Sequence, residues 1–137
     1  MHEATSPVPD RPALLNAFRG VAGLLSLLVL FQALMAGRSE VLFGDWSIEA
    51  HGIVGNVSFL LAVGGLVLGI ITRAPRGVVA VAAAIVVLMV VQIVLGYSGR
   101  DSQEAAAWHV PTGVAIFGLT VYQVSIVRRT ALATPAP

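Results

Sequence analysis

The chain has 137 residues, 57% hydrophobic and 11% charged, with a mean hydropathy of +0.89. A soluble domain carries roughly 25% charged residues, and a globule of this length cannot bury so much apolar surface, so the composition points to a lipid bilayer. There is no Cys, which excludes disulfides, thiolate metal sites and thiol chemistry, and the net charge of +1 predicts no nucleic-acid partner.

Four apolar runs are long enough to span. A helix needs about 20 mainly apolar residues to cross the hydrocarbon core. The runs cover about 14–36, 48–72, 77–98 and 105–127. Each must be helical, because lipid offers the backbone no hydrogen-bond partner. This overrides the strand-like Val/Ile richness of the third run. The first run is too long for a signal-peptide core and no good cleavage site follows it, so it reads as a span. The second and third are joined by "RAPR", a tight hairpin with Pro75 as a helix stop. The fold class expected is all-α: an integral membrane four-helix up-down bundle over 13–129. The Pro/Ala/Thr-rich ends, 1–12 and 130–137, read as disordered cytoplasmic tails.

Charge placement orients the bundle. All eight basic residues are Arg, and with the Ala/Val/Gly bias they suggest a GC-rich bacterial genome. One side holds Arg11, Arg19, Arg73, Arg76, Arg128 and Arg129 against Glu3 and Asp10. The other holds Arg38 and Arg100 against Glu40, Asp45, Glu49, Asp101 and Glu104. By the positive-inside rule both termini and the 73–76 turn face the cytoplasm of a bacterial inner membrane. Loops 37–47 and 99–104 then face out, where Trp46, Tyr97 and Trp108 form an aromatic belt.

The chain also repeats itself. "FQALMAGRSE" followed by "EAHGIVGNVSFLL" parallels "VQIVLGYSGRDSQE" followed by "AWHVPTGVAIFGL". Each half gives a Gln, a small residue four later (Ala36, Gly96), a Gly-Arg pair, and then His-x-x-x-Gly opening the next span. Spans two and four run in the same direction and are diagonal in an up-down bundle. His51 and His109 each lie about one turn below the outer surface, at about 1.5 Å per residue. They can face one another, with Gln32 and Gln92 in the same layer. Gly55 and Gly113 sit one turn deeper on the histidine faces and open a slot beneath each imidazole. Ser58, Ala62, Gly65 and Gly69 continue a small face along span two, where Gly-x-x-x-Gly is also a helix-packing pattern.

Ionisable groups inside a membrane are functional by default, and neutral imidazole is a common axial ligand of haem iron. The pair therefore reads as a bis-His site for haem b. Without Cys-x-x-Cys-His the haem would be held noncovalently. A mononuclear Zn or Cu site is disfavoured, since two His supply too few ligands and Glu49 lies on a different helix face from His51. The second ring nitrogens are expected to donate to the carbonyls of Ser47 and Ala105, and Pro111 frees the carbonyl of Ala107. Gln32 and Gln92 would bond the haem edge or an imidazole, unless they serve only to tie helices. Arg38 and Arg100, at the rim, would pair with propionates, unless they are solvated loop charges.

The segment "VQIVLGYSGRDSQEAAAWHVPTGVAIFGL" resembles the helix-pair pattern of haem A synthases: Gln-x-x-x-Gly near the end of one span, a loop, and a His opening the next. "FQALMAGRSEVLFGDWSIEAHGIVG" is a looser match, with Ala36 in place of the Gly. The chain is also similar to small four-span bacterial membrane proteins whose helices open on "HGxxG" or "LHGxxA". The resemblance covers about residues 30–120 and corresponds to one four-helix half of a haem A synthase. It implies that His51 and His109 are axial haem ligands. The synthases carry a second His pair and often a loop Cys pair, both absent here, so one chain would not hold substrate and cofactor haem separately.

The expectation is a membrane cytochrome b with its haem near the extracytoplasmic face. Six-coordinate iron suits it to electron transfer or haem holding rather than stand-alone catalysis. Its partners are the lipid bilayer and a homodimer or larger respiratory complex. The alternatives are a cofactor-free accessory subunit whose His/Gln layer packs helices, and a haem-modifying enzyme that acts as a dimer.

Overall fold

The computed structural model describes residues 11–132; of the expected tails 1–12 and 130–137, residues 11–12 and 130–132 are helical and the rest lie outside the described residues. The chain forms α1 (Arg11–Phe43), a single 3-10 turn (Gly44–Trp46), α2 (Ser47–Ile71), α3 (Arg76–Ser98) and α4 (Gln103–Leu132). Each neighbour in the chain packs against the next, and α4 closes the ring on α1. The backbones of α2 and α4 do not approach one another, so these helices are diagonal, as are α1 and α3. The architecture is an all-α, up-down four-helix bundle.

Its core is a set of four seams with alternating steps of four and three residues. On α1 the buried positions include Phe18, Ala22, Leu25 and Val29, a spacing that Gln32 continues. On α2 they are Ser58, Ala62, Gly65 and Gly69, on α3 Val78, Ala82, Ile85 and Met89, and on α4 Ile116, Thr120, Gln123 and Val127. A strict 3.5-residue repeat keeps one stripe of each helix facing the axis of a bundle. The α2 seam is small and the α1 seam is bulky, and they fit. A Cβ on Gly65 would stand 3.3 Å from Val21, and one on Gly69 would stand 3.4 Å from the Phe18 ring.

Outside these seams the surface is apolar. Leu27, Leu60, Val87 and Val114 are all more than 60% exposed. Only 22% of the apolar window of each helix is buried. All four helices are long and apolar enough to cross a membrane, and the chain is a multi-pass membrane protein. Such apolar outer faces suit a lipid bilayer.

Two connections differ in kind. Between α2 and α3, the N–H of Arg73 donates to the carbonyl of Ile70 and that of Ala74 to the carbonyl of Gly69, both at 3.0 Å. This is a Schellman closure, with Arg73 at φ +52 where Gly is usual, and Pro75 then caps α3. Between α1 and α2, sequence spacing predicts a loop over 37–47, but α1 continues to Phe43. Gly37 alone does not stop a helix, and no Pro occurs in this stretch. The chain turns at Gly44, whose φ of +55 suits a residue without a Cβ. Arg38 therefore lies on a helix and not in a loop. At the other ends, α1 begins at Arg11 and α4 runs to Leu132, each slightly beyond the expected 13–129 bundle.

Candidate functional site

The heptad seams change character toward the end of the bundle opposite the Arg73 turn. Continuing each seam by the same steps gives Gln32 on α1, Gly55 and His51 on α2, Gln92 and Gly96 on α3, and Gly113 and His109 on α4. The core thus passes from a stretch of mainly apolar and small side chains, with Gln123 its one amide among the seam residues named, to a layer of two imidazoles and two amides. The expected placement of these four polar side chains in one layer holds.

The imidazoles of His51 and His109 meet across the diagonal with ring centroids 6.0 Å apart and planes inclined by 62°. The two glutamines act differently. The Gln32 amide nitrogen donates to the main-chain oxygen of His51 at 3.0 Å. The Gln92 amide nitrogen lies 3.2 Å from Nε2 of the His109 ring. The glycines serve these amides. A Cβ on Gly55 would come within 2.9 Å of Gln32 Nε2, and one on Gly113 within 3.1 Å of Gln92 Nε2. The expected clearance beneath each imidazole is thus taken up by a glutamine head reaching across from the adjacent helix.

Four buried polar atoms in this layer lack a hydrogen-bond partner: Oε1 of Gln32, Oε1 of Gln92, and Nδ1 of both His51 and His109. The expected bonds from the histidines to the carbonyls of Ser47 and Ala105 are therefore not made through Nδ1. In His109 the reason is direction. Its ring reaches across to α3, where Nδ1 would lie 3.4 Å from a Cβ on Gly96, instead of folding back along α4. Buried polar atoms are nearly always paired, and one left unmade costs roughly 1–3 kcal/mol. All four are concentrated in this one layer of the bundle.

The layer walls a cavity of about 570 Å³ that all four helices line, with His51, His109, Gln32 and Gln92 among its walls. Ligand pockets run from about 300 to 1,000 Å³. Most of the lining is apolar, including Val29, Met89, Ile116 and Phe117. Arg100 lines the cavity at its rim and packs its guanidinium over the Tyr97 ring at 5.2 Å. Arg38 is exposed and does not line the cavity. The two rim arginines, equivalent in the repeat, are thus unequal in space.

Ser47, Asn56, Ser58 and Tyr97 also line the cavity, whereas Trp46, Glu49 and Trp108 do not. Glu49 is exposed, and no group of three His, Asp or Glu side chains able to hold a metal ion occurs among the described residues. Trp46, Tyr97 and Trp108 are exposed, and Trp108 donates its indole N–H to Glu104 at 2.8 Å. Gly96 was noted in the sequence only as a small residue after a glutamine. It is the surface against which the His109 ring lies. No family model, no curated protein and no solved structure matches the chain.

Proposed function

We propose that this protein is an integral membrane haem b protein, with His51 and His109 as axial ligands, that carries electrons or holds haem. The observation that carries this reading is the 6.0 Å separation of the two imidazole centroids across a diagonal. Two imidazoles bound to one metal ion at about 2.0 Å each put their ring centroids roughly 6–6.5 Å apart. The cavity supports the reading through its size, its apolar lining and the unpaired Nδ1 atoms on both histidines. So does the resemblance of 91–119 to one helix pair of a haem A synthase.

When bound, haem supplies one-electron exchange at its iron. The chain's own residues do the holding. His51 and His109, on α2 and α4, would hold the haem. Gln32 locks the start of α2 onto α1 through the His51 carbonyl, which holds the ligand helix at its depth. Arg100 is the rim cation placed to meet a carboxylate. The apolar walls exclude water. The six Arg of the Arg73 end orient both termini to the cytoplasm of a bacterial inner membrane and the haem layer to the outer face. The chain would work as a homodimer or within a larger respiratory assembly.

A second reading keeps the layer cofactor-free, because the Gln32–His51 and Gln92–His109 contacts already tie neighbouring helices. A visible spectrum of the protein purified from haem-replete membranes separates the two. The haem reading requires a Soret band and sharp reduced α and β bands, lost in His51→Ala and His109→Ala. A colourless protein from such cells would leave the second reading.

A further inference from the structure

The internal repeat makes the two histidines equivalent in sequence, but their surroundings differ. Gln32 and Gln92 occupy the same repeat position. Gln32 binds the main chain of His51 and leaves its ring untouched, whereas Gln92 binds the His109 ring itself. Four residues on, the repeat places Ala36 in α1 and Gly96 in α3. Ala36 is exposed. Gly96 lies against the His109 ring so closely that a Cβ would come 3.0 Å from Cε1 and 3.4 Å from Nδ1. His109 is thus held by an amide and seated against bare backbone. The His51 ring meets the other imidazole at 62°, and its buried Nδ1 has no hydrogen-bond partner.

The amide contact also has a chemical sense. The Gln92 amide nitrogen faces His109 Nε2; an amide nitrogen donates and never accepts, so this arrangement calls for the Nε2 lone pair to point at Gln92. The proton of the neutral ring then sits on Nδ1. This is the tautomer from which a metal takes Nε2, with the N–H on the far nitrogen. Gln92 keeps His109 in the form that binds metal, and yields Nε2 when a metal arrives.

Resting on the haem reading, we infer that the two ligands are unequal: Gln92 and Gly96 pre-set His109 as the anchoring ligand, and His51 is the exchangeable one. Its coordination position is then open to a small neutral ligand such as carbon monoxide or free imidazole. Gln92 and Gly96 are positioning residues; they act through His109.

The test has two parts, one independent of haem. In the full chain in lipid nanodiscs without haem, labelled with ¹⁵N-histidine, long-range proton–nitrogen correlation reads each ring tautomer. His109 is expected as Nδ1–H. Gln92→Leu should shift His109 toward a mixture and leave His51 unchanged, and Gln32→Leu should leave His109 unchanged. Gly96→Ala repeats the test with one added methyl should Gln92→Leu fail to insert. An Nε2–H tautomer at His109, or equal responses of the two histidines, overturns the inference. In the second part, haemin is titrated into His51→Gly and His109→Gly. His51→Gly should retain haem, bind carbon monoxide when reduced and be refilled by imidazole. His109→Gly should bind haem at least tenfold more weakly than His51→Gly. The reverse order overturns the inference. If the wild-type chain takes up no haem, the haem reading falls, and the tautomer comparison still decides whether His109 is pre-set.

Discussion

Gly96 and His109 are in contact across the α3–α4 interface, with the glycine Cα where any other residue would press a Cβ to 3.0 Å from the ring. That distance is tighter than ordinary van der Waals contact, so the ring must move if a methyl is added. Gly96→Ala should displace the His109 imidazole by a few tenths of an ångström and weaken haem retention by about tenfold, the size of a mild overpacking cost of about 1–2 kcal/mol. Gly96→Val should abolish the pigment while helix content by circular dichroism is kept. Ala36→Gly, the matching change in the first half, should leave the spectrum unaltered.

Gly55 bears on stability more than on the ring. A Cβ there would meet the Gln32 amide at 2.9 Å and push it from the His51 carbonyl. Gly55→Ala should therefore cost about 1–2 kcal/mol, the value of one hydrogen bond with its amide donor left unpaired. The cost should appear as a lower unfolding midpoint in mild detergent. Gln32→Leu should cost a similar amount, and Gly55→Ala combined with Gln32→Leu should cost less than the sum of the two, because both remove the same bond.

The His–Gln layer was legible in the sequence because polar residues in a membrane span are rare and these four repeat in register. The diagonal placement followed from chain direction alone. Other features were hidden for identifiable reasons. Gly55 and Gly113 looked like clearance for their own helix's histidine, since sequence reveals i, i+4 neighbours but not which side chain reaches in from the next helix. Gly96 carried a signal, its place four residues after Gln92, but its contact with a side chain on another helix lies beyond any local pattern. The 3.5-residue seam from Phe18 to Gln32 and from His109 to Val127 could have been read directly. Apolar residues surround it on every face, because lipid-facing positions are as hydrophobic as core ones. The course of α1 past Gly37 was missed because Gly-Arg-Ser-Glu reads as a loop in water, while nothing in it stops a helix that is already well established.

Arg73 is a place where sequence and backbone disagree. It takes φ +52 at the end of α2, a conformation that costs a residue with a Cβ. Arg73→Gly should raise the unfolding midpoint by an amount equivalent to about 0.5–1 kcal/mol. Arg73→Val, β-branched at the same φ, should lower it. Arg73 also adds a positive charge to the end of the bundle that carries Arg19, Arg76, Arg128 and Arg129. Arg73→Gly should therefore also increase the fraction of inverted chains when it is combined with neutral substitutions at Arg76.

The orientation itself can be read without disturbing the site, because the chain has no cysteine to remove. Gly77 is exposed at the start of α3, with open space around its Cβ position, and Asp101 is exposed in the turn before α4. The two lie at opposite ends of the bundle. Asp101→Cys should react with a membrane-impermeant maleimide added to spheroplasts of the expressing bacterium. Gly77→Cys should react only after permeabilisation. That pattern puts the His51–His109 layer within reach of redox partners on the outer face. The opposite pattern would mean that the arginine asymmetry does not set topology here. It would move the layer to the cytoplasmic side and make a soluble cytoplasmic reductant the natural electron donor.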